Sequence, residues 1–69
     1  MITYDKLFAL LKERGINTTE IRRTNLISQG TLTRIKNGTG GLDNRTINKL
    51  CERLGVQPGD LMEYIPDSD

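Results

Sequence analysis

The sequence has no histidine and no tryptophan, and its 69 residues include one cysteine, one phenylalanine and two prolines. Without histidine and with a single thiol, neither a zinc site nor a histidine-assisted nucleophile has enough groups to be assembled. We therefore expect no cofactor, no metal and no catalysis. One cysteine also excludes an internal disulfide, which favours a reducing cytoplasm as the location.

Long apolar runs are missing as well. No stretch approaches the about 18 apolar residues that a membrane-spanning helix needs, so no membrane contact is expected. The opening residues, MITYDKL, lack the basic and then apolar layout of a secretion signal. The apolar fraction of 35% is low but spaced, which is typical of a lean globular domain. We expect one domain over residues 1–69, with a core that is only marginally stabilising.

Acidic residues are scarce in the first 50 positions, which hold four of them against nine lysines and arginines, a formal charge of +5. Residues 51–69 hold one arginine and five acids, a formal charge of −4. Such a dipolar chain can turn its basic part towards phosphate. An ordinary solvated surface with a polar tail fits the same charges, and charge alone does not separate the two readings.

Apolar residues at helical spacing predict five short helices and no strand, an all-α fold. The first helix is predicted over residues 4–14, with Thr3 as its N-cap and Gly15 as its stop. The second opens at Asn17, where Glu20 completes a capping-box pattern, and ends near position 24 or 25.

The last two helices are predicted from similar signals. Asp43 can cap the fourth helix, and Pro58 sits where the first turn of a fifth helix accepts proline. That fifth helix would contribute Leu61, Met62 and Ile65, and an acidic tail follows it within 57–69. A lone Cys51 at helical spacing from leucines is read as a small buried hydrophobe. The glycine-rich loop at 39–41 lacks the lysine and hydroxyl ending of a phosphate loop and is read as a flexible connector.

Residues 17–38, NTTEIRRTNLISQGTLTRIKNG, read as two helices joined by a tight corner, with the third helix over 29–37 capped by Ser28 and closed by Gly38. Leu32 and Ile35 share the face that should enter the core. The opposite face is polar and consists of Gln29, Gly30, Thr33 and Arg34. An isolated solvated helix face would look similar, but it would not need a capped helix and a corner before it. The pattern favours a helix that enters the DNA major groove.

Each residue of this face has a candidate contact. Gln29 can bond an adenine edge, and Arg34 can bond guanine, or a phosphate if its reach falls short. The Thr33 methyl can pack on a thymine methyl. At Gly30 either the helix backs closely onto DNA or that base goes unread.

Candidate phosphate contacts lie at helix ends, in the loop and on nearby basic side chains: Thr18, Arg22, Arg23, Ser28, Lys36, Asn37, Thr39 and Arg45. For Asn37, capping of the third helix is equally compatible with the sequence. Of the two neighbouring arginines 22 and 23, one can reach the DNA backbone while the other is solvated or paired with Glu20.

Three segments, LISQGTLTRIKNG, KLCERLGV and PGDLMEYIP, resemble small Cro/repressor-type helix-turn-helix regulators, also called the xenobiotic-response-element family. The resemblance covers nearly all of residues 2–65. It implies a five-helix fold that binds a palindromic operator as a dimer, with the third helix in the major groove. By position it implies phosphate contacts at Thr18 and Asn37 and groove-facing places at Ser28, Gln29, Gly30, Thr33 and Arg34.

The sequence departs from the family pattern around the corner between the two helices. Leu26 stands where glycine is usual, and leucine at positive φ is strained, so Asn25 is expected to take the left-handed conformation. Arg22 replaces a small packed residue and must point outward or along the helix, and Thr24 replaces an apolar one. These changes can alter the angle between the helices.

The leading hypothesis is a regulator that binds double-stranded DNA as a homodimer, without a small-molecule ligand. The alternative is a protein-interaction module, such as the folded half of an antitoxin or a small adaptor, acting through the fifth helix and the acidic tail. Met62, Tyr64 and Ile65 are its exposed candidates, and the fifth helix is also the predicted dimer interface.

Overall fold

The computed structural model describes residues 1–66, in which four α-helices are followed by a short turn and framed by a two-stranded ribbon. The helices are α1 (Asp5–Glu13), α2 (Thr18–Thr24), α3 (Gln29–Asn37) and α4 (Asn44–Leu54). The ribbon pairs β1 (Ile2–Thr3) with β2 (Glu63–Tyr64), and a 3₁₀ turn at Pro58–Asp60 precedes β2.

Three predicted N-caps are confirmed. The side chains of Asn17, Ser28 and Asp43 each accept a hydrogen bond from the backbone N–H three residues further on, at 2.9, 3.3 and 2.9 Å. The capping box predicted at α2 is only half formed. The Glu20 carboxylate binds the Arg23 guanidinium at 2.6 Å, so it does not reach back to the N-cap.

The core draws on all four helices, the α2–α3 corner and the chain after the 3₁₀ turn. Ten apolar side chains are buried among residues 1–66: Leu7, Leu11, Ile21, Leu26, Ile27, Leu32, Ile35, Leu50, Leu54 and Leu61. Burial of each such side chain stabilises the fold by about 1.5–3 kcal/mol before entropy is counted. Cys51, predicted to be a small buried hydrophobe, packs against this cluster but is only half-buried. The core thus holds α3 through its buried face, which carries Leu32 and Ile35.

The predicted fifth helix is wrong. Only Pro58–Asp60 forms a short 3₁₀ turn, after which the chain extends and Glu63–Tyr64 forms a strand. Leu61 enters the core, but Met62 is half-buried and Ile65 is exposed. Pairing with β1 holds Glu63 and Tyr64 extended, and Pro66 disfavours the helical region for Ile65, the residue before it.

The predicted cap of the first helix is also wrong. Thr3 lies in β1, opposite Glu63, and the N-cap position is taken by Tyr4, whose side chain makes no capping bond. The fold is mainly helical, as predicted, and the one addition in residues 1–66 is the short antiparallel pairing of β1 with β2. Residues 67–69, with the two acids that end the predicted acidic tail, lie outside the described residues.

Two further features bear on function. In residues 1–66, no helix combines the length and apolar character that crossing a membrane requires. Within the same range, no three His, Cys, Asp or Glu side chains come together as metal ligands would.

Candidate nucleic-acid interface

The corner between α2 and α3 turns at Asn25, as its sequence predicts. Asn25 has φ 55° and ψ 37°, and in residues 1–66 it is the one residue other than glycine with positive φ. The Leu26 N–H donates to the Ile21 carbonyl at 3.1 Å, and the Asn25 N–H donates to that of Arg22 at 3.3 Å. These two hydrogen bonds together form a Schellman motif. Because Asn25 rather than Leu26 takes the left-handed conformation, Leu26 can lie in the core, where it is 3% exposed.

Two basic side chains of α4 hold the C-terminal end of α2. Lys49 Nζ donates to the Asn25 carbonyl and Arg53 Nη1 donates to the Thr24 carbonyl, both at 2.9 Å. Cations at a helix C-terminus also oppose its partial negative charge. Lys49 thus stabilises the corner through this hydrogen bond. The first bond joins residues separated by 24 positions in the sequence, and the second joins residues separated by 29. No local sequence pattern could therefore have revealed them.

The exposed face of α3 carries the polar residues that helical spacing in the sequence predicts. Leu32 and Ile35 are each 6% exposed and anchor the helix. All four candidate base-reading residues are exposed, namely Gln29, Gly30, Thr33 and Arg34. An exposed helix with this face can offer hydrogen-bond donors and acceptors to base edges.

A row of hydrogen bonds runs along this face and includes one residue that the sequence analysis did not single out. Thr31 Oγ1 accepts from Ser28 Oγ at 2.8 Å and from Arg34 Nη2 at 3.2 Å. The three residues are spaced by three, so they lie on neighbouring turns of one side of the helix. This spacing is visible in the sequence and was the pattern that could have indicated the role of Thr31. Thr31 holds the guanidinium near the N-terminal end of α3.

The loop after α3 packs on the same arginine. The Thr39 N–H donates to the Arg34 carbonyl at 2.9 Å, and the Thr39 hydroxyl lies 3.4 Å from that oxygen. A Cβ on Gly40 would lie 3.1 Å from Cβ and Cδ of Arg34, so Gly40 leaves room for the arginine stem. Arg34 is thus guided at both ends, by Gly40 along its stem and by Thr31 at its tip.

The two neighbouring arginines of α2 differ in state. Arg23 forms an ion pair with Glu20, and the hydrogen bond from its guanidinium, with its charge, lowers the pKa of that carboxyl. Arg22 is exposed on the outside of the helix, as predicted. Thr24, in place of an apolar residue, donates its hydroxyl to the Glu20 carbonyl at 2.7 Å.

The remaining phosphate candidates are exposed polar residues on three helices. Thr18 is the first residue of α2, Lys36 and Asn37 end α3, and Arg45 is the second residue of α4. The end of α3 is closed by backbone bonds from Gly38 and Thr39, so the Asn37 amide is not needed there. This leaves the amide available to a ligand. Ser28, in contrast, uses its hydroxyl in the cap and in the bond to Thr31.

The loop that leads from α3 to α4 is held by the start of α1. The Tyr4 hydroxyl accepts the Leu42 N–H at 3.2 Å. A Cβ on Gly41 would lie only 2.8 Å from that hydroxyl oxygen, so this contact requires glycine. The predicted flexible connector is therefore tied down at Leu42.

Comparisons with known proteins agree with this geometry. Residues 6–67 match the family model described as a Cro/C1-type HTH DNA-binding domain. The chain is 33% identical over 61 residues to "Uncharacterized HTH-type transcriptional regulator YozG" of Bacillus subtilis (strain 168), an alignment covering 87% of this chain and 73% of that protein. No solved structure matches the chain. With its capped helix pair, its left-handed corner and this family match, the chain belongs to the Cro/C1-type HTH DNA-binding domain family.

Proposed function

We propose that this protein is a sequence-specific transcriptional regulator that places α3 in the major groove and acts without catalysis. The observation that carries the proposal is that Arg34, on the exposed polar face of α3, is held in position by its hydrogen bond to Thr31. Thr31 occupies one N–H of Nη2. A guanidinium has five N–H groups, so four remain for a ligand. Two of them can bond O6 and N7 of one guanine, a contact worth about 1–3 kcal/mol of discrimination.

Gln29 and Thr33 complete the proposed reading surface. Gln29 starts the helix and is exposed, so its amide can bond N6 and N7 of an adenine. Thr33 is one turn from Gln29 on the same face and offers its methyl group to thymine. Gly30 has no side chain, which allows the helix backbone to approach the base edges closely.

Phosphate contacts would set the position of α3 in the groove. We assign them to Thr18 and Arg22 on α2, to Lys36, Asn37 and Thr39 around the end of α3, and to Arg45 on α4. Ser28 can contribute only beside its capping bonds, and Arg23 only if it leaves Glu20. Such contacts release counterions, so affinity should fall linearly with the logarithm of salt concentration.

The proposed active form is a homodimer on a palindromic operator. A helix-turn-helix dimer places its two recognition helices about 34 Å apart, one turn of DNA. Two half-sites at this spacing should therefore be bound together.

A protein-interaction module is the second candidate function. Its predicted C-terminal helix is not formed in the described residues, but the exposure of Tyr64 and Ile65, 64% and 43%, supports an apolar contact there. A salt titration separates the two functions. DNA binding weakens steeply with salt, whereas a contact centred on apolar side chains does not.

Selection of bound sites from random duplex DNA tests the proposal directly. Wild-type protein should enrich a palindrome whose half-sites are centred roughly 10 bp apart. Arg34→Ala, selected in parallel, should lose its preference for guanine at one position of each half-site. Failure to enrich any sequence, or an unchanged guanine preference in the variant, would contradict the proposal.

A further inference from the structure

A groove opens on the surface where α1, α2 and α3 meet. Its volume is about 380 Å³, and Thr18 and Lys36, two of the candidate phosphate contacts, are among the residues that line it. This volume lies at the lower end of the range of about 300–1,000 Å³ that is typical of small-molecule sites. An occupant of the groove would therefore be a small molecule.

The floor of the groove is apolar. Leu11 of α1, Ile21 of α2 and Leu32 of α3 line it and are buried in the core. Phe8 and Ile16 pack against the same core but are only half-buried, so part of each side chain faces the groove. Covering apolar area that is open to water is the main source of attraction for a ligand in such a site.

Two lysines line the groove, each one turn beyond an apolar residue of the floor. Lys12 follows Phe8 on α1, and Lys36 follows Leu32 on α3, so each pair lies on one face of its helix. Both lysines are exposed, and within residues 1–66 neither ammonium group forms a hydrogen bond or an ion pair. Both charges are therefore available to an anion.

The charge of the lining is of one sign. Among residues 1–66, no aspartate or glutamate lines the groove. A cavity of about 410 Å³ on another face of α1 differs in this respect, since Glu13 and Asp60 line it. Asn17 adds a donor to the groove, because its side-chain oxygen accepts the Glu20 N–H and leaves the NH₂ group for a ligand.

We propose that this groove binds a small amphipathic carboxylate, a molecule with an apolar body and one negative charge. The apolar body would cover Phe8 and Ile16, and the carboxylate would be attracted by Lys12 and Lys36. The apolar floor and the positive lining each match one half of this ligand. The proposal departs from the sequence-based expectation of no small-molecule ligand.

Occupation of the groove would weaken DNA binding, a step that rests on the function proposed above. Thr18 and Lys36 are assigned to DNA phosphates and also line the groove. A bound carboxylate would use the Lys36 charge and place a negative charge beside Thr18, which repels a phosphate. Coupling between two ligands is reciprocal, so bound DNA would weaken carboxylate binding by the same factor.

Titration of the ¹⁵N-labelled chain with sodium octanoate, followed by heteronuclear NMR, tests the site. Octanoate should give saturating shifts of the amide signals of Phe8, Ile16 and Leu32. 1-Octanol, which has the chain without the charge, should bind more weakly, and sodium acetate, which has the charge without the chain, should not saturate. No saturating shift with octanoate, or equal affinity for octanoate and 1-octanol, would overturn the proposal.

Lys12→Gln tests the contribution of charge, since Lys12 is not assigned to DNA. The affinity for octanoate should fall about two- to five-fold, as for the loss of an exposed ion pair, while the affinity for 1-octanol should not change. Arg14→Gln removes the same charge from the end of α1 outside the groove and is the matched control. Equal losses of octanoate affinity in the two variants would contradict the proposal.

Dilution of the protein without octanoate tests whether a second copy covers the groove instead. The amide signals of Phe8, Ile16 and Leu32 should keep their positions between micromolar and millimolar protein concentration. Shifts of these signals with protein concentration would assign the groove to a contact between copies and would overturn the proposal.

Fluorescence anisotropy with the selected operator tests the coupling. Octanoate should weaken operator binding more than acetate at the same ionic strength, which controls for the general effect of salt. Lys12→Gln should reduce this difference. If octanoate bound the groove but weakened operator binding no more than acetate, the coupling would be wrong. If the protein bound octanoate but no DNA, the proposed function would fail and the groove would still be a carboxylate site.

Discussion

Nη2 of Arg34 lies 3.2 Å from Oγ1 of Thr31, one turn earlier on α3. The same oxygen accepts from Ser28, the residue that caps the helix. The group that starts α3 is thereby connected to the group proposed to read guanine. A side chain held in place loses less conformational entropy on binding than a free one.

Arg34→Ala should weaken binding to the selected operator by about 1–3 kcal/mol, roughly 5- to 150-fold, because a bidentate base contact is lost. Binding to random DNA should change much less, and the fold should be unaffected because the side chain is exposed. The measurement is fluorescence anisotropy with both DNAs at one salt concentration. Arg14→Ala, which removes the same charge from the end of α1, is the control. Equal losses for both variants would mean that Arg34 contributes charge alone.

Thr31→Val should reproduce part of the Arg34→Ala defect. Valine keeps the shape of threonine but removes the oxygen that holds the guanidinium, while the Thr31 backbone N–H still donates to the Ser28 hydroxyl that caps the helix. Thr31→Ser keeps the oxygen and should bind nearly as wild type.

The double variant Thr31→Val/Arg34→Ala makes this prediction specific. If Thr31 acts through Arg34, the double variant should bind no more weakly than Arg34→Ala alone. Additive losses would instead assign Thr31 a contact of its own.

The parts of the fold that sequence predicts well are those written in local signals. Capping by Asn17, Ser28 and Asp43 is decided by a side chain and a backbone N–H three residues away. The left-handed Asn25 follows from the strain that leucine would suffer next to it. The buried and exposed faces of α3 follow from helical spacing alone.

The parts that sequence analysis missed depend on residues far apart in the chain. The ribbon joins Ile2 to Tyr64, and a helical pattern at residues 58–65 gave no sign of this partner. The bonds from Lys49 and Arg53 to the end of α2 are equally nonlocal. Thr31 is different, since it was within reach of the sequence. Its spacing from Ser28 and Arg34 was visible, but the direction of the arginine side chain was not.

Asn25→Gly should leave the stability nearly unchanged, whereas Asn25→Ala should cost about 1 kcal/mol, because alanine is strained at the positive φ found there. Urea unfolding followed by circular dichroism measures both. As a contrast, Leu26→Gly should cost considerably more, since Leu26 is buried in the core. Alanine and glycine variants of equal stability at position 25 would argue against a left-handed corner.

Acid should weaken the start of α4. Hydrogen bonds from the Thr46 side chain and backbone N–H lower the pKa of Asp43 below its ordinary value of 3.8. A carboxyl with a lowered pKa in the folded state contributes stability above its unfolded pKa and loses it as pH falls through the folded one. The free energy of unfolding should therefore decrease as the pH drops below about 4.

Asp43→Asn isolates this contribution. Asparagine is an N-cap of similar quality but has no charge to titrate. The variant should keep the fold at neutral pH and show a shallower loss of stability in acid than wild type. Glu20, whose pKa is lowered by Arg23, still titrates in both proteins, so some acid sensitivity should persist. Identical pH profiles would show that the Asp43 cap does not depend on its charge.

Gly41→Ala should destabilise the protein through Tyr4 rather than through its own backbone. The added methyl would meet the Tyr4 hydroxyl oxygen at 2.8 Å, and the ring carbon behind that oxygen is 3.8 Å away. Overpacking of this kind costs typically about 1–3 kcal/mol. Gly59→Ala, where nothing lies within 4 Å, is the matched control and should be nearly neutral.

Tyr4→Phe removes the obstructing oxygen and also the acceptor of the Leu42 N–H, so alone it should cost about 1 kcal/mol. In that background the Gly41→Ala methyl has room, and the double variant should be clearly more stable than the sum of the single losses predicts. Urea unfolding of the four proteins gives the coupling energy. A coupling near zero would mean that the methyl is accommodated by movement of the loop, and that Tyr4 does not fix the connection between α3 and α4.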